Sequence, residues 1–352
     1  MNFQQYVFMK IIVVGSFQYS IYAPAIEYGL KKMGHDVEII DSSVYKYGKG
    51  VLGLVLNKIQ GKYSVGTKVT CFNRDIIKKV KEFLPDFVFL YTCYTVKPCT
   101  INVIKKMGCY VFNYNNDDPF SRKLNNWGHR YFHRIIPLVD YNFVYRKKNI
   151  VDFEKVGAKQ VEVLLPYYRE QTNFYDPTVS KTEPIAFLGH FENDGRDGCI
   201  KAMIEAGLPI TVYGGNLWVN APLYDDIKHV ITDKKGGAEY NRKLNECQIA
   251  LVFLSKLNHD TYTRRCFEIP AAKTLMLCEY TEDMDRMFPE DECAVYFRSK
   301  EELVEKCKTL LANPEKIAEI ADNGYNRLKE IGGSEVDRCR QIIEVYKKYK
   351  DK

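Results

Sequence analysis

The densest chemistry in the chain lies in Leu257-Asn-His-Asp-Thr-Tyr-Thr-Arg-Arg-Cys-Phe-Glu-Ile-Pro-Ala-Ala-Lys273. Asn258, Asp260, Thr261, Tyr262, Thr263, Arg264, Arg265 and Glu268 bring together an amide, carboxylates, hydroxyls and guanidinium forks. Guanidinium forks match phosphate oxygens, and the mix as a whole suits a phosphorylated, hydroxyl-rich ligand. A helix starting here would leave the N–H groups of residues 261–263 open to an anion. Helical neighbours point different ways, so one of Arg264 and Arg265 is expected on phosphate, and a domain carboxylate is a structural alternative for the other. Asp260 reads as a helix N-cap or a ligand contact. Glu268 sits between Phe267 and Ile269, which puts it in the core, where a carboxylate needs a partner. Pro270 is excluded from a helix interior, so this helix should be short, kinked or restarted.

Other polar runs follow apolar ones. Gly189-His-Phe-Glu-Asn-Asp-Gly-Arg196 contributes Arg196 as a second phosphate candidate and His190 as a phosphate contact or a turn closer. Tyr213-Gly214 ends another strand. Asn113-Tyr-Asn-Asn-Asp-Asp-Pro-Phe120 holds the adjacent Asp117 and Asp118, and Asp118-Pro119 suits an N-cap followed by the first helical residue. No His, Cys and carboxylate grouping has metal spacing, and no Asp-x-Asp is read at a strand end, so no metal and no cofactor are expected.

The elements that must position these groups alternate along the chain. Apolar runs at 10–14, 37–40, 87–91, 109–112, 141–145 and 161–165 read as strands. Helices are expected at 23–33, 74–83, 98–107 and 150–156. Residues 42–70 break the rhythm and read as a solvated insertion with a short helix, with an acceptor loop or a membrane-touching patch as the other reading. A second series has strands at 185–188, 210–213, 230–231, 249–254, 274–278 and 294–297, with helices between and after them. The stretch after Pro166, with Pro177 and Pro184, reads as the linker. This predicts an α/β protein of two Rossmann-like, doubly wound parallel-sheet domains facing a cleft, at residues 1–172 and 173–334, with a helix at 335–352 crossing back to the first. Ligands belong at the carboxyl ends of such strands.

With 352 residues, the chain is long enough for two domains of ordinary size. A net charge of +6 is mild and gives no case for nucleic acid. Eleven Cys without any Cys-x-x-Cys pair read as reduced thiols in a cytoplasm. No apolar run approaches the roughly 20 residues of a membrane span. Gly15 is the only glycine of the first strand's turn, so the dinucleotide fingerprint is missing and a nicotinamide dehydrogenase is not expected.

The second half resembles the spore-maturation, CgeB-like glycosyltransferases of the GT-B superfamily. The resemblance rests on Gly189–Arg196, on Phe253-Leu-Ser-Lys-Leu-Asn-His-Asp-Thr-Tyr-Thr-Arg-Arg-Cys-Phe-Glu-Ile-Pro270 and on the tail from Glu301 through Arg327. Asn115-Asn-Asp-Asp-Pro-Phe120 and Tyr145-Arg-Lys-Lys-Asn-Ile150 match in the first half. It implies a retaining transfer from a nucleotide sugar, and the missing metal spacing makes that transfer metal-independent; the acceptor is a glycan, protein or small molecule, with no nucleic acid and with peripheral membrane contact left open. The wider family's two acids with seven residues between them fall on Asp260 and Glu268, implying sugar contact for the first and ribose contact for the second. Asp260 stands in place of Glu and Lys273 in place of the usual Gly, so donor specificity is expected near them. Gly189, His190, Arg196, Tyr213, Gly214, Asn258 and residues 261–265 fall on the donor side. Gly15, Ser16 and His129 fall on the acceptor side, and Asp117 or Asp118 is the base of an inverting alternative. On this reading Glu268→Ala weakens nucleotide binding and leaves the fold intact. The rival readings are an epimerase or hydrolase on the same fold and a non-catalytic maturation or assembly protein.

Overall fold

The computed structural model describes residues 8–121 and 129–351. The chain separates into two units, residues 1–165 with 335–352, and residues 166–334. Residues 166–172, expected with the first domain, belong with the second unit. There Tyr168 bridges Ser334 in parallel fashion, and its N–H donates to Gly333 O at 3.1 Å.

The first unit is a six-stranded parallel sheet in the order β2-β1-β3-β4-β5-β6. Its strands are β1 Lys10–Gly15, β2 Asp36–Asp41, β3 Phe87–Tyr91, β4 Tyr110–Asn115, β5 Tyr141–Val144 and β6 Val161–Val163. The order reverses between β1 and β3, which makes their carboxyl ends the switch point of this sheet. The helices are α1 Ala23–Lys32, α2 Val51–Tyr63, α3 Thr67–Phe83, α4 Pro98–Lys106, α5 His129–Ile135 and α6 Lys147–Lys155. The central strands are buried on both faces and consist of near-continuous apolar residues, as a sheet covered by helices requires.

Residues 42–70 contain the expected exposed helix. They hold α2 and the start of α3, which begins at Thr67, well before Arg74. β4 runs on through Asn113 to Asn115, and the wholly buried Asn113 amide donates to Asn142 Oδ1 at 3.2 Å on the neighbouring strand.

The second unit contains β7 Glu183–Phe187, α7 Arg196–Glu205, β8 Ile210–Tyr213, α8 Tyr224–Ile227, β9 Ile231–Thr232, α9 Gly237–Glu246 and β10 Cys247–Val252. These are followed by α10 Arg265–Ala271, β11 Leu275–Glu279, α11 Glu282–Met287, β12 Val295–Phe297, α12 Lys300–Leu311 and α13 Pro314–Glu330. Its parallel sheet has the order β12-β11-β10-β7-β8-β9, with the switch point between β7 and β10.

The last helix, α14 Glu335–Lys350, packs on α1 within the first unit, so the return expected from the sequence is present. Its Tyr346 ring lies 5.1 Å from that of Phe87, and Cys339 Sγ donates to Ile26 O at 3.4 Å. All eleven cysteines are free thiols, and no helix among the described residues is long and apolar enough to cross a membrane.

Candidate functional site

In the second unit, two loops leave the carboxyl ends at the switch point: Leu188–Gly195 after β7 and Phe253–Arg264 after β10. Glu192 ties them together, its Oε2 accepting from Ser255 Oγ at 2.6 Å and its Oε1 lying 3.2 Å from His190 Nε2. Burial pushes the Glu192 carboxyl up, but the His190 and Ser255 hydrogen bonds and the Arg196 charge outweigh it and hold the group at about 2. Glu192 is therefore a fixed negative charge, and neither it nor Ser255 was singled out from the sequence.

Arg265 reaches back across the switch point. Its Nε donates to Leu188 O at 2.5 Å, and its guanidinium lies 5.6 Å from the Phe187 ring centre. Gly189 permits this approach, since a Cβ there would stand 2.6 Å from Phe187 Cζ and 2.7 Å from Arg265 Nη2. Gly189 O accepts from Trp218 Nε1 at 2.9 Å, and a Cβ on Gly214 would collide with the Trp218 indole. The two glycines thus set a tight wall with one guanidinium beside it.

Arg264 is the residue that takes the carboxylate. Its Nε donates to Glu268 Oε1 at 2.5 Å, and its guanidinium covers the Tyr167 ring at 5.2 Å. Glu268, 7 % exposed, also accepts from Tyr240 OH at 2.7 Å. Burial, then the Glu268 charge, pushes the Tyr240 phenol well up, which keeps it a donor. The buried acid therefore has the partner its neighbours demanded, one turn away, with Tyr240 supplied by α9.

Several expected contacts have other roles. Arg196 is buried and committed to its own loop, donating to Asp194 at 2.8 and 2.5 Å and to His190 O at 2.7 Å. These bonds staple the turn. Tyr213 points its hydroxyl at Glu183, at 2.7 and 2.9 Å, at the opposite end of β7 from the site, and Tyr262 is a core residue at 1 % exposure. Helix α10 starts at Arg265, so residues 261–263 lie outside it and Asp260 is not its N-cap. Pro270 follows from the brevity of this helix.

The Asp260 N–H donates to Ser255 O at 3.0 Å, and the Asn258 N–H to Ser255 Oγ at 3.3 Å, so both stay in the switch-point turn. Thr261 Oγ1 donates to Asp283 at 2.8 Å, and the Thr263 N–H meets Cys266 Sγ at 3.5 Å. Asp283-Met284-Asp285 is an Asp-x-Asp that the sequence reading passed over. Its acids hold Thr261 and, at 2.9 Å, the Glu290 N–H. Among the described residues no group of three or more His, Cys, Asp or Glu could hold a metal ion.

Lys273 lies away from this edge. It precedes β11 at the amino end of the sheet, with φ 48° and its ammonium on Asp322 at 3.0 Å. The left-handed backbone is the physical reason a glycine suits this position. Its distance from the carboxyl edge removes it as a specificity residue.

In the first unit, the turn after β1 is held by Asp41, which accepts from the Phe17 N–H at 3.0 Å, next to Gly15 and the half-buried Ser16. After β4, Asp117 accepts from Tyr94 OH at 3.2 Å. Asp118 is fully buried and accepts from Lys148 at 3.0 Å and Asn149 at 2.9 Å. Burial pushes the Asp118 carboxyl up, but Lys148, the Phe120 N–H and Asn149 bring it below the ordinary range. An acid so enclosed anchors α6. His133 stacks on Phe120 with ring centres 4.4 Å apart. His129 opens α5, but its side chain lies outside the described residues.

Residues 196–335 match the family described as "Glycosyl transferase-like". A comparison with curated protein sequences finds no relative. Among solved structures, the chain is similar to a sucrose-phosphate synthase from Thermosynechococcus elongatus, with TM-score 0.69, 11 % identity and coverage of 97 % of this chain and 98 % of that one. It is also similar to Anabaena Alr3699/HepE in complex with UDP and glucose, with TM-score 0.64, 12 % identity and coverage of 97 % and 100 %. A third is a putative UDP-N-acetylglucosamine 2-epimerase from Listeria monocytogenes, with TM-score 0.59, 11 % identity and coverage of 98 % and 97 %. At these identities the structures speak for the fold, which is GT-B-like. The family match lies in the second unit and supports glycosyltransferase activity for the chain.

Proposed function

We propose that this enzyme transfers a sugar from a nucleotide-diphosphate donor held at the carboxyl edge of the second unit's sheet to an acceptor served by the first unit. One observation carries the reading. Arg265, inside the region that matches the family, lies against the bare Cα of Gly189 at the switch point. A guanidinium fixed there by a backbone carbonyl meets the charge that develops on a departing diphosphate without reorganising. Glu268 accepts ribose hydroxyls through lone pairs that Arg264 and Tyr240 leave open, and Asp260 faces the sugar. Arg264 acts on the nucleotide through Glu268, and the phosphate contact falls to Arg265.

The transfer is metal-independent and retaining. The bond from the anomeric carbon to phosphate breaks, the bond to the acceptor oxygen forms on the same face, and the departing phosphate oxygen takes the acceptor's proton. Asp117 is the remaining first-unit acid for an inverting route. The fold and the free thiols fit a cytoplasmic protein.

UDP-glucose is the first donor to test, because HepE is similar in fold and its structure holds UDP and glucose. Thermal unfolding with UDP-, GDP- and ADP-sugars should show one nucleotide series raising the transition. Ligand at a hundred times Kd adds about 2.7 kcal/mol. No stabilisation by any of them removes the assignment. The fold similarity to a putative 2-epimerase supports a second reading. Complete conversion of a nucleotide sugar without acceptor would favour epimerisation or hydrolysis.

A further inference from the structure

Helix α2 is built inside out. Its inward stripe, at spacing i, i+4, i+7, is Gly53, Asn57 and Gln60, where a helix on a water-bathed surface would carry its apolar residues. Each of the three binds it to the loop before it. Gly53 lets the Gly48 carbonyl approach closer than any side chain would allow. Asn57 accepts from the Tyr47 N–H at 2.9 Å and donates to Tyr47 O at 3.0 Å, while Gln60 Nε2 donates to Tyr45 O at 2.7 Å. Polar bonds therefore hold the helix down and turn its aliphatic side chains outward. Val51 is 81 % and Leu52 72 % exposed, and Leu54, Val55, Ile59, Tyr63 and Val65 are exposed beside them.

The charge around this face has one sign. Between Asp41 and Asp75 there is no acidic residue, while Lys46, Lys49, Lys58, Lys62, Lys68 and Arg74 are all cationic. Lys46, Lys49, Lys58 and Lys62 are exposed. At roughly 1.5 Å per residue the helix is about 20 Å long, too short to cross a bilayer and suited to lying in its surface. A second copy of this chain fits poorly, because it would bring the same cations face to face.

We propose that α2 is a peripheral membrane anchor that seats its aliphatic face among the headgroups of an anionic lipid surface, with the flanking lysines paired to lipid phosphate. The surface is independent of the donor site, so it stands or falls separately from the transfer reaction. An enzyme seated this way takes an acceptor presented at the membrane.

The test is co-sedimentation of the full chain with phosphatidylcholine vesicles, with and without a third of phosphatidylglycerol. Binding should be at least about tenfold stronger to the anionic vesicles and should fall with added salt, as attraction between surface lysines and anionic headgroups implies. Two variants separate the contributions. Leu52→Asp with Val55→Asp should abolish binding, and Lys49→Glu with Lys58→Glu should remove the preference for anionic lipid. Both pairs are exposed, so unchanged circular dichroism and unchanged thermal shift with nucleotide sugar verify the fold. Absence of binding, equal binding to neutral vesicles, or full binding by the double aspartate variant overturns the proposal. Concentration-dependent dimers that the same aspartates dissolve would overturn it in favour of a second copy.

Discussion

Removing Glu268 should unfold the second unit more easily, contrary to the expectation from sequence that Glu268→Ala spares the fold. The carboxylate is 7 % exposed and is bound by Arg264 Nε at 2.5 Å and Tyr240 OH at 2.7 Å. The charged hydrogen bond is worth about 1.5–3 kcal/mol, and a buried phenol left without an acceptor costs about 1–3 kcal/mol. Breaking a buried pair from one side typically costs about 3–5 kcal/mol. The Tyr167 ring still covers the stranded guanidinium, which favours the lower end, about 3 kcal/mol. Urea unfolding followed through buried Trp218 measures it. A cycle with Arg264→Met should show the double variant losing at least about 1.5 kcal/mol less than the sum of the singles. Additive singles, or a loss under about 1 kcal/mol in Glu268→Ala, would refute the pairing. Glu268→Gln isolates the nucleotide role by keeping the shape and one acceptor. It should lose about 1 kcal/mol of stability and at least about tenfold in UDP-sugar affinity, a drop of 1.4 kcal/mol. Affinity within twofold of the parent would end the ribose assignment and leave the stability argument standing.

The Glu192 carboxyl sits at about 2 in the folded state against 4.5 unfolded. Its contribution is present above about pH 4.5 and is lost as the pH falls toward 2. The urea midpoint should therefore drop across that window more steeply than in Glu192→Gln, and parallel curves would contradict this. Lys181 is the opposite case, pushed down to about 8 by burial while its ammonium donates to the Thr274 hydroxyl at 2.6 Å. Its folded state binds fewer protons than the unfolded between about pH 8 and 10.5, so stability rises through that range. Lys181→Met should raise the urea midpoint at pH 7, with the advantage shrinking by pH 10; a lower midpoint at pH 7 would refute the reading. Gly214→Ala drives a methyl into the Trp218 indole and should cost about 2 kcal/mol, with a red-shifted tryptophan emission. An unshifted spectrum and midpoint would show that the wall yields.

Much of the fold was readable from one dimension. Helix and strand periodicities alternate twice, and the buried parallel strands consist of apolar runs such as Ile249–Val252, so two doubly wound sheets followed from pattern alone. The site was readable as a neighbourhood, since strand-end loops at a switch point carry ligands, and Glu268's need for a partner followed from Phe267 and Ile269. Reading failed where a side chain's role depended on what it meets far along the chain. Arg196 and Asp118 have the residue types of a phosphate ligand and a base, yet Asp194 and Lys148 consume them. Tyr240 had no local signal, because it reaches Glu268 across 28 positions. Helix α2 was expected, but its orientation was hidden for a related reason: an apolar run with scattered lysines has the same composition whichever face is turned inward. Composition and period determined the layers of this protein, because burial of apolar area depends on pattern. Which polar groups stay available for chemistry was decided only in three dimensions, because a hydrogen bond or ion pair needs its partner within about 3 Å.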